Sequence, residues 1–194
     1  MKGSLVIAFL LCIALFFASG CTPSTTASTD GPHTIPAQYQ ANISTVYGSG
    51  KRITSDSLES DFAWKDSSGV THTLAELKGK VVLVNFWAIW CVPCISEMPE
   101  LQDIQNRFRA DSVVVIGVSI DNGATPFADD KSFVDFKSIK YQIIVDANQD
   151  IYKNYSQLNA IPQTFVIDAS GHIRHFFSGA RNEQEYIDAI NDVL

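Results

Sequence analysis

The segment Gly79–Leu101 reads GKVVLVNFWAIWCVPCISEMPEL, and it predicts a strand, a pair of cysteines and a helix in succession. Its first part, Val81–Trp87, is an apolar run of the kind that forms a strand buried on both faces. Cys91 and Cys94 follow this run. After Cys91 the apolar residues recur at a spacing of three to four, which predicts a helix. These residues are Ile95, Met98, Leu101, Ile104 and Phe108.

Other apolar runs along the chain predict further strands of the same sheet. They are Val113–Ile120, Ile143–Val145 and Thr164–Ile167, and weaker helical patterns lie at about 129–138, 148–157 and 182–193. Strands that alternate with helices indicate βαβ units and a largely parallel central sheet. The sequence therefore predicts the α/β class.

Two hairpins are predicted as well. Gly171 marks a tight turn between Thr164–Asp168 and His172–Phe177. Upstream, Asp61–Trp64 and Val70–Leu74 flank the turn sequence DSSG.

The spacing of Cys91 and Cys94 suits reversible disulfide chemistry. Residues three apart in the first turn of a helix lie about 5 Å from one another, within the range that a disulfide requires. A helix N-terminus favours an anion, and such positions lower a cysteine pKa to roughly 3.5–7.5. We therefore expect Cys91 to be the exposed nucleophile and Cys94, one turn inside, to be the shielded resolving thiol. Pro93 suits this turn, where its missing N–H costs nothing.

Two other uses of a C-x-x-C pair compete with redox cycling. A zinc site needs about four ligands, and the sequence has no histidine at ligand spacing near Cys91 and Cys94. A structural disulfide that closes so short a loop gains little stability. The sequence therefore favours a redox-active disulfide and predicts no metal.

The N-terminus predicts export. Lys2 and the apolar run Leu5–Phe17 indicate a signal peptide over residues 1–20. The sequence Ala18-Ser19-Gly20-Cys21 resembles a bacterial lipobox, although Ala18 stands where Leu is usual, and an ordinary signal peptidase would also accept this site. We favour a lipid anchor at Cys21, because a secreted protein seldom begins with a spare reactive thiol.

The composition changes after the signal peptide. Residues 21–56 are rich in Thr, Ser, Pro and Gly and poor in large aliphatic side chains. Such a segment cannot bury enough surface to offset its ordering entropy, so we expect a tether. Residues 57–194 form the predicted domain. The net charge of −7 and the scattered positions of the 14 basic residues argue against nucleic-acid binding.

Two stretches, Gly79–Leu101 and Ile161–Gly171 (IPQTFVIDASG), resemble the ResA/TlpA-type thioredoxin-like proteins, which are membrane-tethered thiol–disulfide oxidoreductases outside the cytoplasm. The resemblance covers about residues 58–193. It implies a thioredoxin-like fold, with a central mixed β-sheet flanked by helices, an N-terminal β-hairpin and an αβ insertion at about 122–157.

The resemblance also implies roles for individual residues. Cys91 would attack and Cys94 would resolve. Pro162 would be a cis-proline packed against them, and the Ile161 backbone would pair with the substrate chain. From the residues alone, trans is the base expectation for an X–Pro bond. The residues implied in substrate contact are Trp90, Pro93 and Ile161.

Glu97 falls where the ResA subgroup keeps a glutamate one turn after its second cysteine. The resemblance implies that Glu97 sets a cysteine pKa or accepts a proton. A solvated carboxylate in a first helical turn is favourable anyway, so both interpretations stay open. Val92 stands where ResA has an acid, and Asn85 stands where cytoplasmic thioredoxins bury an aspartate, so proton handling must differ from theirs. Core packing explains Trp87 better than a role beside the site.

The function expected from these features is a monomeric reductant of protein disulfides, anchored by lipid to a bacterial membrane and facing the periplasm or the cell surface. Apocytochrome c is one candidate client, by analogy alone. No flavin or nicotinamide motif occurs in the chain. We therefore predict no cofactor, and expect electrons to come from a membrane thiol-electron donor.

Two rival functions are weighed against this one. Peroxiredoxins share much of the fold, but they place a threonine three residues before the peroxidatic cysteine, where this chain has Ala88. Copper chaperones of the Sco type use cysteines spaced by three residues and a distal histidine. The cysteines here are spaced by two, and His175 is an unconvincing candidate.

Overall fold

The computed structural model describes residues 44–47, 61–156 and 158–194. The strands are β1 (Ser44–Tyr47), β2 (Ala63–Lys65), β3 (Thr71–Thr73), β4 (Val81–Trp87), β5 (Val113–Ser119), β6 (Gln142–Val145), β7 (Gln163–Ile167) and β8 (Ile173–Ser178). The α-helices are α1 (Val92–Arg107), α2 (Pro126–Lys137), α3 (Asp150–Tyr155) and α4 (Glu183–Asn191), and a 3-10 helix covers Leu74–Leu77. None of the described helices has the length and apolar character that a membrane crossing needs.

The strands form one mixed sheet in the order β3-β2-β1-β6-β5-β4-β7-β8. β4, β5 and β6 run parallel, whereas β7 pairs with β4, and β8 with β7, in the antiparallel sense. The β2–β3 and β7–β8 hairpins lie where the sequence predicts them. The predicted insertion contains α2, β6 and α3. The prediction of a mixed sheet flanked by helices is therefore confirmed.

The central strands β4 and β5 are buried throughout, as their apolar runs predict. Helix α1 connects them as a parallel crossover. Cys91 therefore lies beyond the carboxyl end of β4, and the carboxyl ends of parallel strands are where α/β sheets place their sites.

Strand β1 lies inside the segment that composition predicts to be a tether. Its backbone pairs with β2, where Val46 is opposite Trp64, and with β6, where Ser44 is opposite Ile144. The tether prediction is therefore wrong for residues 44–47, because hydrogen bonds from two neighbouring strands satisfy the backbone whatever the side-chain composition. The other predicted tether residues, the signal peptide 1–20 and Cys21 lie outside the described residues.

Alternate residues of β4 point to two different layers. Asn85 donates a hydrogen bond to Glu97 of helix α1, and Trp87 lies on the same side of the strand. Phe86 points the other way, and its ring centroid lies 5.7 Å from that of Tyr155 on helix α3. We call these two sides the α1 face and the α3 face of the sheet.

Candidate active site

The two cysteines lie at the N-terminus of α1. Cys91 is the N-cap residue, and Cys94 lies in the first turn together with Pro93. The cysteines form a disulfide, and their Cα atoms are 5.2 Å apart, as the spacing predicts. The Cys94 N–H donates a hydrogen bond to Cys91 Sγ at 3.3 Å. The Cys91 sulfur therefore lies at the end of the helix whose free N–H groups stabilise a negative charge.

Cys91 is more enclosed than the sequence suggests. Cys94 is fully buried, as predicted, but Cys91 is only 5% exposed, so the prediction of an exposed sulfur is wrong. The bond to Cys94 turns the Cys91 sulfur toward the helix. Its neighbours Trp90 and Val92 are instead 64% and 76% exposed. These two side chains, rather than the sulfur, form the outer surface of the site.

Pro162 lies in the segment opposite the disulfide. The Ile161–Pro162 peptide bond is cis, which is the state that the resemblance implies. Cys91 Sγ lies 3.8 Å from the Ile161 carbonyl oxygen. A groove beside Cys91 is lined by Trp90, Val92, Pro93, Ile120, Tyr152 and Ile161. The structure thus brings the three sequence-predicted contact residues to one groove.

Glu97 is buried one turn after Cys94. Its Oε1 accepts a hydrogen bond from Asn85 Nδ2 at 2.7 Å. Its Oε2 accepts from the Tyr186 hydroxyl at 3.1 Å and from the Arg181 N–H at 3.2 Å. Burial raises the pKa of Glu97 to about 7, and the three hydrogen bonds oppose that rise. The interpretation of Glu97 as a solvated carboxylate is therefore wrong, because α4 and the segment before it cover the side chain.

The hydrogen bonds around Glu97 close into a buried network. Asn85 Nδ2 also lies 3.0 Å from Thr164 Oγ1 of β7, to which it donates. The hydroxyls of Thr164 and Tyr186 are hydrogen-bonded to each other at 3.0 Å. In this site the buried acid is therefore Glu97 on helix α1, and the strand residue Asn85 donates a hydrogen bond to it. Cytoplasmic thioredoxins instead bury an aspartate at the strand position.

Sequence reasoning missed two further carboxyl groups near the cysteines. Asp121 follows β5, and its Oδ2 accepts a hydrogen bond from the Ile89 N–H at 2.8 Å. Asp130 is buried on α2. Asp121 could have been predicted to lie near the site, because it directly follows a buried parallel strand and Cys91 lies at the same end of the sheet. Asp130 gave no signal, since only the packing of α2 buries it.

Residues 58–176 match the AhpC/TSA family. The chain belongs to the AhpC/TSA family. The thioredoxin-like protein YneN of Bacillus subtilis is 32% identical over 125 residues, which are 64% of this chain and 72% of that protein. The thiol-disulfide oxidoreductase ResA of the same organism is 26% identical over 146 residues, which are 75% of this chain and 79% of ResA.

Solved structures of other proteins resemble this chain in fold. The exposed lipoprotein thioredoxin Etrx1 of Streptococcus pneumoniae superposes with a TM-score of 0.59 at 24% identity, over 69% of this chain and 99% of that chain. StoA of Bacillus subtilis gives a TM-score of 0.58 at 22% identity, over 67% and 96%. The predicted thioredoxin-like fold is confirmed, and the relatives confirm the predicted class of thiol–disulfide oxidoreductase.

Proposed function

We propose that this chain is an extracytoplasmic oxidoreductase that reduces disulfides of client proteins through Cys91 and Cys94. The main observation in support is the disulfide at the N-terminus of α1, where Cys91 lines a groove beside the cis Ile161–Pro162 bond. The buried carboxyl of Glu97 lies one helical turn after Cys94. A helix N-terminus stabilises the thiolate that must attack, and the groove gives an extended client chain a place beside it.

The proposed cycle moves two electrons to the client. The Cys91 thiolate attacks one sulfur of the client disulfide, and the other client sulfur leaves as a thiolate. Cys94 then loses its proton and attacks Cys91 Sγ, which releases the second client sulfur as a thiolate and leaves the Cys91–Cys94 disulfide. The client thiolates take up protons. A membrane thiol-electron donor then reduces the enzyme disulfide through the same exchange.

Glu97 is the proposed acceptor of the Cys94 proton. It lies three positions after Cys94 on α1, and residues at this spacing lie on the same side of a helix. A carboxyl whose pKa is about 7 can take up and release a proton at neutral pH, which is the property that a general base needs. Its hydrogen bonds to Asn85 and Tyr186 hold the carboxylate in place.

The N-terminal segments belong to the same proposal. Residues 1–20 act as a signal peptide, Cys21 carries the lipid, and the segment up to the domain acts as the tether. Support comes from the lipobox-like sequence before Cys21 and from Etrx1, which is described as an exposed lipoprotein. Apocytochrome c is the proposed client. If Cys21 anchors the chain, Cys21→Ser should release the protein from the membrane fraction, and unchanged retention would contradict the anchor.

Trapping a client tests the mechanism. In the Cys94→Ala variant, Cys91 should remain joined to its client as a mixed disulfide that a reductant dissolves. Cys91→Ala is the matched control and should trap nothing. If Cys94→Ala traps no protein while exchange activity persists, the mechanism is wrong. A measured reduction potential near about −270 mV, that of thioredoxin, supports a reductant, whereas a value near about −120 mV would reverse the direction of electron flow.

The two rival functions have less support. Ala88 lacks the hydroxyl that a peroxiredoxin places three residues before its cysteine. His175, the distal histidine considered for copper, lies 3.1 Å from an Asp192 carboxyl oxygen and is engaged there. Rapid peroxide consumption by the reduced protein would favour the first rival, and tight copper binding to it would favour the second.

A further inference from the structure

Asp121 lies behind the loop that leads into Cys91. Its nearly buried carboxyl accepts hydrogen bonds from the Ile89 N–H at 2.8 Å and from the Ser119 hydroxyl at 3.1 Å. Ile89 comes two residues before Cys91, and the Cys91 N–H donates to the Ala88 carbonyl at 3.1 Å. Asp121 therefore fixes the backbone from which the attacking sulfur is presented.

Asp130 approaches Asp121 from helix α2. Its side chain is fully buried, and neither carboxyl oxygen has a hydrogen-bond partner among the described residues. Burial raises the pKa of Asp130 to about 8. The negative charges of Asp121, after β5, and of Asp129, on α2, add to this rise.

We propose that Asp121 and Asp130 share one proton, and that this carboxyl pair positions the loop before Cys91 as long as the proton is retained. A buried carboxylate without a partner is costly, and two facing carboxylates in a dry site cannot both ionise. Protonated Asp130 supplies a donor to Asp121, which remains the acceptor for Ile89. Neither carboxyl touches the reacting sulfur, so both are positioning residues.

Loss of the shared proton acts on Cys91 in two ways. Two adjacent negative charges repel strongly where water is excluded, which weakens the hold of Asp121 on Ile89. The added charge also lies behind the loop of Cys91 and disfavours the thiolate there. Both effects lower the reactivity of Cys91 above about pH 8. This consequence rests on the proposed redox function, whereas the shared proton does not.

The shared proton can be observed directly in the oxidised full-length protein labelled with ¹³C at the aspartate carboxyl carbon. One aspartate signal should titrate near pH 8. Asp130→Asn should remove that signal, because the amide donates to Asp121 without titrating, and Asp129→Asn, at the exposed neighbour, should keep it. If every aspartate signal titrates in the ordinary acidic range, the shared proton is ruled out.

The positioning role is tested by the alkylation rate of Cys91 in the Cys94→Ala background, followed by mass spectrometry of the peptide that contains Cys91. Above about pH 8 the parent and Asp129→Asn should lose reactivity several-fold, whereas Asp130→Asn should not. If Asp130 had a purely structural role, Asp130→Asn would change the alkylation rate by the same factor at every pH. pH profiles of the same shape in the parent and in Asp130→Asn would therefore overturn the proposal. Failure of Cys94→Ala to trap any client would instead count against the proposed function.

Discussion

On the α1 face of strand β4, Asn85 meets the carboxyl of Glu97, whereas on the α3 face Phe86 packs against the rings of Tyr155 and Phe165. The Glu97 carboxyl is buried but accepts three hydrogen bonds. The ring centroids of Tyr155 and Phe165 lie 5.7 and 6.0 Å from that of Phe86. At Asn85 and Phe86, the strand therefore contacts a buried carboxyl on one side and a cluster of aromatic rings on the other.

The two faces are expected to contribute differently to the reaction and to the stability of the fold. Buried polar groups cost free energy, but they hold carboxyls whose pKa values lie near neutrality, where a proton can be exchanged. Buried aromatic rings stabilise the fold and exchange no protons. We therefore expect substitutions in the aromatic cluster of the α3 face to change only the free energy of unfolding. Substitutions in the Glu97 network of the α1 face should change its pH dependence and the redox reaction as well.

The largest effect is expected at the cysteine pair that α1 carries. Cys91→Ser should abolish reduction of a protein disulfide such as insulin, because no other described residue can form the mixed disulfide that Cys94 resolves. Phe136→Ala, which removes an 81% exposed ring from α2, is the control and should leave the rate unchanged. Substantial exchange by Cys91→Ser would separate the reaction from this site.

The next effect tests the aromatic layer. Phe165→Ala should lower the free energy of unfolding by about 3–5 kcal/mol, because it opens a cavity among closely packed rings. Urea unfolding of the oxidised protein measures this change. The reduction potential should stay the same. Phe176→Ala removes a partly exposed ring that lies 4.9 Å from Phe165, and should cost clearly less. A shifted potential in Phe165→Ala would show that the two layers are coupled.

Glu97→Gln should change how stability depends on pH. The pKa of Glu97 is raised from 4.5 to about 7, so folded protein retains a proton that unfolded protein releases. The wild type therefore loses stability as pH rises through this window, by roughly 3 kcal/mol at 1.36 kcal/mol per pKa unit. Glutamine does not titrate, so the stability difference should move in favour of the variant by that amount.

Urea unfolding below pH 4.5 and above pH 7 measures the effect of Glu97→Gln. Ser96→Ala, on the exposed side of the same helix, introduces and removes no titrating group and serves as the control. A stability difference that is constant with pH would mean that the pKa of Glu97 is the same in folded and unfolded protein. In that case Glu97 would not exchange a proton with Cys94 near neutrality.

The smallest effect is expected at the edge of the Glu97 network. Thr164→Val keeps the shape of the side chain but leaves Asn85 Nδ2 and the Tyr186 hydroxyl without one partner each. We expect a loss of about 1–2 kcal/mol in the free energy of unfolding, measured by urea. Thr164→Ser retains the hydroxyl and should lose less. Equal losses in both variants would assign the effect to the methyl group.

Several parts of the fold could be predicted because they depend on local pattern. The apolar runs of β4 and β5 predicted buried strands, and the bounds observed for β5 and β7 differ from the prediction by a single residue. The turn at Gly171 could be predicted because its φ of 92° favours glycine. β1 could not be predicted, since it forms through pairing with β2 and β6 and not through its own composition.

Some residues of the candidate site could likewise be predicted from local sequence, whereas others could not. Cys91, Cys94 and Pro93 could be placed at a helix N-terminus from sequence, because that position depends on residues next to one another. The burial of Glu97 could not, since Arg181 and Tyr186, which cover it, come more than eighty residues later in the chain. The pair of Asp121 and Asp130 also requires α2 to fold back over the end of β5.

The sequence by itself determined the strand, the C-x-x-C pair and the helix that follows, because spacing and periodicity specify local structure. Only the tertiary structure decided which carboxyl groups are buried, because burial depends on distant segments of the chain that pack around a side chain. Glu97 could have been a surface carboxyl on pattern alone. Its place beneath α4 raises its pKa to about 7.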